Sequence, residues 1–181
     1  MSEHPQIIRI VAGTPRLVAD DWRVIDSAAD WDASDDDGAN SGGGLLLPLA
    51  LAESQAARVR AHAGGRLGLV LAADDEPARA VPFFPHVTLI GVQFPKFTDG
   101  RGYSTAVLLR TRLGWRGELR AVGDVLQDQL YALRRVGFDS FALRSGRDPQ
   151  AALAGFTPFS GAYQGSVDDP RPAYARPGAT P

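Results

Sequence analysis

Cysteine is missing altogether from the 181 residues, and that absence removes several chemistries at once. No structural disulfide, CxxC redox pair, thiolate zinc site or all-cysteine iron–sulfur cluster can be built. Redox work would fall to a bound organic cofactor, a haem held by other ligands, or another protein's metal centre; the sequence names none of these. Histidine is scarce: His4, His62 and His86 lie in separate segments without metal-ligand spacing, so no metal site is expected. Long apolar runs are lacking too, none approaching the ~18 residues of a membrane span. The opening "MSEHPQIIRI" has no basic region ahead of an apolar one. The expectation is a cytoplasmic protein with no membrane partner. A net charge of −2 argues against nucleic acid as a partner, because such binders carry a basic face. Lysine occurs once. Lys96 stands in "FPKFTDGRGYS" (Phe94 to Ser104), in a chain that otherwise uses arginine.

Familiar nucleotide and hydrolase motifs are also missing: there is no GxxxxGK[ST] loop, no GxGxxG after a strand and no GxSxG elbow. "GRGYST" has two glycines of the dinucleotide fingerprint but not the third. The acidic stretch "DWDASDDDGANSGGG" fails as a calcium loop, because counting from Asp32 puts Asp37 at the glycine position and no closing glutamate follows.

The pattern that is present is a strand–helix alternation. "IIRIV", "RLV" and "WRVI" read as an N-terminal β-hairpin or meander over residues 1–29, with a flexible acidic and Gly-rich loop over 30–44. From Leu45 the apolar runs "LLLP", "LGLVLAA", "VTLIGVQF", "GELRAVG" and "DSFALR" predict five strands separated by helical runs. One such helix carries Leu49, Ala52, Ala56, Val59 and Ala63 on a single stripe and stops at Gly64. "DDEPARAVPFF" should be short or broken, because Pro82 ends it. "DVLQDQLYALRRVG" predicts a helix with Leu126, Leu130 and Leu133 inward, Asp124 at the N-cap and Gln127 at the third helical position. Together these predict one α/β domain over 1–164, with a mainly parallel sheet of about five strands in βα repeats. Either an open doubly wound sheet or a partial β/α barrel satisfies the pattern. Residues 165–181 read as a disordered Pro- and Gly-rich tail.

Parallel strands gather the residues after their C-terminal ends on one rim, where α/β folds bind ligands. That rim should hold Asp74, Asp75, Lys96, Asp99, Arg101, Asp124 and Arg144. In "TDGRGYS" the turn leads into a helix near Gly102, whose first-turn N–H groups, with Lys96 and Arg101, would form an anion- or partner-binding pocket. Gly102, Tyr103 and Ser104 would line it, with Gly102 letting backbone approach a ligand. The plainer alternative pairs Arg101 with Asp99 and leaves Lys96 in water. Two catalytic alternatives are Lys96 as a Schiff-base nucleophile walled by Phe94 and Phe97, and Asp124 as a general base. Arg110, Arg112, Arg116 and Arg120 alternate around a helix and a strand, as a solvated surface would.

The stretches "FPKFTDGRGYS", "GELRAVGDVLQDQL" and "GFDSFALR" resemble an uncharacterised bacterial family associated with an oxidoreductase role in sulfite reduction. The likeness spans about Leu45 to Gln164. It implies a place in sulfur assimilation, beside sulfite reductase, and it brings no catalytic residue. In the known reductase the electrons pass through sirohaem and an iron–sulfur cluster. A chain without thiolates is not that reductase. The resemblance therefore implies an accessory protein that docks on the reductase, assists its electron supply or maturation, or handles a small anion. The alternative is a free-standing enzyme on a β/α scaffold using Lys96 and Arg101.

Overall fold

The computed structural model describes residues 5–36, 43–62, 66–157 and 163–172. Eight strands form one sheet: β1 (Gln6–Val11), β2 (Thr14–Ala19), β3 (Trp22–Val24), β4 (Gly44–Pro48), β5 (Arg66–Leu71), β6 (Leu89–Phe94), β7 (Glu118–Gly123) and β8 (Ser140–Phe141). Their order is β2-β1-β8-β7-β6-β5-β4-β3, with β3 to β8 parallel and β1 antiparallel to both of its neighbours. The parallel part thus has six strands, not five. They run in chain order, with no reversal of the kind that creates the crevice of a doubly wound sheet.

The sheet curls into a half-barrel, and the connectivity requires it. The two edge strands, β2 and β3, are consecutive and joined only by Asp20 and Asp21. Those residues span at most ~11 Å, whereas the edges of a flat eight-stranded sheet would stand roughly 34 Å apart. β1 and β2 form the expected hairpin. β3 does not continue it, and sits at the opposite edge, parallel to β4. Alternation identified the strand but could not identify its partner.

The curl gives the sheet an outer and an inner face. One outer row runs Leu71–Val92–Ala121–Phe141–Ile8 across five strands, and every member is buried. Helices cover this face: α1 (Ala28–Asp36), α2 (Leu49–Ser54), α3 (Ala56–Ala61), α4 (Arg101–Thr111), α5 (Leu130–Arg135) and α6 (Pro149–Ala152). α4 buries Gly102, Ala106 and Leu109, a stripe at helical spacing. Leu49, Ala52 and Val59 are buried as the periodicity predicts, but the run breaks at Gln55 into α2 and α3. Residues Pro77–His86 form a 3-10 helix with Pro82 and Pro85 inside it, since neither proline can donate a helical hydrogen bond.

The segment predicted as a loop over 30–44 begins instead as α1, whose Trp31 is fully buried. Its aspartates mask the one large apolar side chain that anchors it. Residues 37–42, the helix stop at Gly64 and residues 173–181 of the predicted tail lie outside the described residues. The start of that tail lies against α5, where the Val167 N–H donates to the Arg135 carbonyl at 2.9 Å. Arg135 in turn donates to the Gln164 carbonyl at 2.8 Å. Among the described residues no helix is long and apolar enough to cross a membrane.

Candidate functional site

The C-terminal rim of the parallel strands carries the predicted site residues, and most of them are already bonded to one another. After β6 the chain turns at Lys96, where the Asp99 N–H donates to the Lys96 carbonyl at 2.9 Å, and then enters α4. The Asp99 carboxylate accepts from the Arg101 N–H at 3.1 Å and from its guanidinium at 2.6 Å. The Arg101 guanidinium holds the Asp99 carboxyl down at about 2, below its ordinary 3.8, with the Arg101 backbone N–H adding to the effect. Asp99 raises the pKa of Arg101 in return, with a smaller contribution from Asp74 across the loop after β5. The anion at the start of α4 is therefore the chain's own carboxylate.

Gly102 has a packing role. It is buried, and a Cβ there would lie 2.5 Å from the Phe94 ring. The glycine lets α4 close on β6, and the Phe94 ring fills the space that a Cβ would take. Tyr103 stacks edge-on against the same ring at 5.6 Å. Burial raises its pKa, partly offset by a hydrogen bond with Gln129. The Ser104 hydroxyl is exposed and makes no hydrogen bond among the described residues.

Asp124 does not cap the helix after β7. Its backbone N–H donates to the Phe94 carbonyl at 2.8 Å, and its carboxylate accepts from the Phe97 N–H at 3.0 Å and from Arg144 at 3.3 Å. It therefore ties together the loops after β6, β7 and β8. Capping falls to Gln129, whose Oε1 accepts from the Leu126 N–H at 2.9 Å while its Nε2 donates to the Phe97 carbonyl at 3.0 Å. The predicted helix is accordingly a 3-10 turn over Gln127–Gln129 followed by α5.

Phe97 is thus gripped at both backbone groups, yet as a residue it is 52 % exposed. Beside it Lys96 is exposed, and its ammonium makes no hydrogen bond or ion pair among the described residues. Phe94 and Phe97 do not wall in Lys96: Phe94 is buried beneath α4 and Phe97 faces water. The ion pairs are lopsided. The Arg101 and Arg144 side chains are each 57 % exposed, against 16 % for Asp99 and 21 % for Asp124. In these two pairs the solvent-facing partner is the cation, while Asp74 after β5 is an exposed acid on the same rim.

A second constellation lies on the inner face, and the sequence pattern pointed away from it. The register places Gly91, Arg120, Ser140 and Arg9 in one row across β6, β7, β8 and β1. Arg120 is only 2 % exposed and donates to Asp20 at 2.7 Å, Glu118 at 2.9 Å and Ser140 at 3.3 Å. Glu118 also accepts from Ser140 at 2.7 Å and pairs with Arg9 at 3.0 Å. Trp22 lies over Gly44 and Gly68, where a Cβ would run into its ring. The guanidinium groups of Arg66 and Arg120 stand 5.0 and 5.9 Å from its centroid. Arg110, also expected on the surface, is nearly buried and donates to the carbonyls of Trp115, Gly117 and Gly137 and to Asp139. Strand alternation made Arg120 look solvated, because a polar residue facing the inside of a curled sheet has the same spacing as one facing water. Three of its partners, Asp20, Glu118 and Ser140, are supplied by separate parts of the chain.

The family model described as "Bacterial protein of unknown function (DUF934)" matches residues 68–174, more than half of the chain. The chain belongs to this family. No curated protein and no solved structure matches it. The family match begins and ends later than the resemblance seen in the motifs. It contains the whole Lys96–Arg144 rim, whereas Asp20, Trp22 and Arg9 of the inner network lie ahead of it.

Proposed function

We propose that this protein is a docking accessory of assimilatory sulfite reduction, presenting the Lys96–Phe97 turn to an acidic surface of sulfite reductase. One observation carries the reading: Phe97 has both backbone groups fixed, by Asp124 and Gln129, while the residue stays exposed beside an unpaired ammonium. Single exposed apolar residues are ordinary on protein surfaces. A rigidly braced one differs in that little conformational entropy remains to be lost on association. Aromatic and cationic side chains are also the groups that dominate interface energies.

The choice of partner comes from the motif resemblance. The chain itself supplies no thiolate for an iron–sulfur cluster, so its place is beside the reductase. The paired state of Asp99 and Asp124 and the exposure of Lys96 favour docking over proton transfer or Schiff-base chemistry.

The test is co-purification with sulfite reductase. Phe97→Ala and Lys96→Glu should each lower the retained reductase while leaving the circular dichroism unchanged. Deleting the gene should create a requirement for reduced sulfur. Undiminished growth of the deletion strain on sulfate and sulfite would overturn the assignment.

A further inference from the structure

At the start of α4 the chain's own Asp99 takes the place of an anion, but on the inner face of the sheet a pair of cations has no such partner. β1 and β2 carry one charged residue each, Arg9 and Arg16, and the register sets the two directly opposite. Opposed residues of an antiparallel pair share a face with Cβ atoms ~4.5–5.5 Å apart, and like charges placed so are destabilising. Arg16 therefore extends the row that runs through Arg120, Ser140 and Arg9. The pairs on either side of it on this face, Ile7–Val18 and Val11–Thr14, are uncharged.

The carboxylates bonded to this face are spent on other groups. Glu118 accepts from Arg120 and Ser140, and its second oxygen pairs with Arg9 at 3.0 Å. Asp20 accepts from Arg120, and Asp21 pairs with Arg66. None of the three is bonded to Arg16, which is exposed and makes no hydrogen bond or ion pair among the described residues. Arg9 is steadied by Glu118, yet its side chain is 47 % exposed, so part of its guanidinium faces water. One braced and one free guanidinium thus stand on adjacent strands, with no carboxylate of the chain shared by both.

We propose that Arg9 and Arg16 together bind a small oxoanion of the phosphate or sulfate class. Each guanidinium is a planar fork that fits two oxygens of such a group. An anion between them turns the repulsion across the hairpin into attraction, and the Glu118 brace lowers the ordering cost on the Arg9 side. A free ion and a phosphate ester offer the same chemistry, and the test separates them. The site is distinct from the Lys96–Phe97 turn and does not depend on the docking reading.

The test is a titration of the full chain with inorganic phosphate, against sodium chloride at matched ionic strength, followed by nitrogen NMR of the arginine side chains. The Arg9 and Arg16 Nε resonances should move together and saturate in the millimolar range. Arg16→Gln, an exposed replacement, should weaken phosphate binding about tenfold. Arg112→Gln, equally exposed just past α4, should leave it unchanged. In chloride alone Arg16→Gln should raise Tm, because the repulsion is gone, whereas added phosphate should stabilise the unmodified chain more than this variant. Inorganic phosphate binding at least as tightly as methyl phosphate assigns a free oxoanion, and tighter binding of the ester assigns a phosphorylated ligand; either result keeps the site. Equal effects of phosphate and chloride would overturn it. So would unchanged affinity in Arg16→Gln, or saturable shifts confined to Lys96, Arg101 and Arg144.

Discussion

Replacing Arg120 by methionine tests whether the inner face of the sheet is a desolvated charge network. Arg120 is the centre of that network, with Asp20, Glu118 and Ser140 all within 3.3 Å of its guanidinium. Methionine keeps most of the volume and removes the charge. Glu118, with its side chain only 9 % exposed, would keep Arg9, itself half in water, as its remaining cation. Removing one partner of a buried pair costs about 3–5 kcal/mol, because the other is left uncompensated. Arg9 and the Ser140 hydroxyl offset part of this, so the lower end, ~3 kcal/mol, is expected. In a chain of this size that corresponds to a Tm lower by roughly 6–12 °C. Urea denaturation followed by far-ultraviolet circular dichroism and by tryptophan fluorescence reads the same quantity. Adding Glu118→Leu to Arg120→Met should recover part of the stability, since the more buried of the two stranded carboxylates goes with it while Asp20 stays without Arg120. If Arg120→Met costs under ~1 kcal/mol, the network is hydrated and the reasoning is wrong. The same holds if the double variant is no more stable than the single one.

Three further outcomes follow from the rim. Gly102→Ala should destabilise by about 1–3 kcal/mol through overpacking against the Phe94 ring, measured by urea midpoint at constant slope. The Asp99 carboxyl should titrate near 2 by carbon NMR and move back toward 3.8 in Arg101→Gln. Because the folded value is depressed, the bracing by Asp99 is complete above its ordinary pKa and is lost as pH falls through the folded one. Asp124→Ala should speed hydrogen exchange at the Phe97 amide at least about tenfold, since that amide loses its acceptor. Unchanged exchange there would mean that Phe97 is held by something other than the clamp.

The legibility of the fold was uneven for physical reasons. β4 to β8 stood out because their buried apolar residues recur at strand spacing, whereas the end expected at Pro82 is not there: the chain continues through Pro82 to His86 as a 3-10 helix. β3 was visible as a strand but was assigned to the wrong neighbour, because periodicity reports burial and says nothing about pairing. At the rim, Asp124 was singled out with the wrong role. The "DVLQ" pattern suggested a local cap, while its actual contacts reach loops 27 and 20 residues away. Gln129 was missed for the same reason: it acts on Phe97, 32 residues away. Arg120 was misjudged because a strand-facing charge shows its burial only when the curl of the sheet is known.

The two-residue corner at Asp20–Asp21 also governs how the chain is made. The β1–β2 hairpin leaves the ribosome ahead of Ser140 and Phe141 and must wait for them before β1 has its second neighbour, and Asp20 waits for Arg120, a hundred positions downstream. Vectorial synthesis therefore holds β1 and β2 as a two-stranded ribbon until β8 has emerged. Closure of the sheet is a late, long-range event rather than a local one.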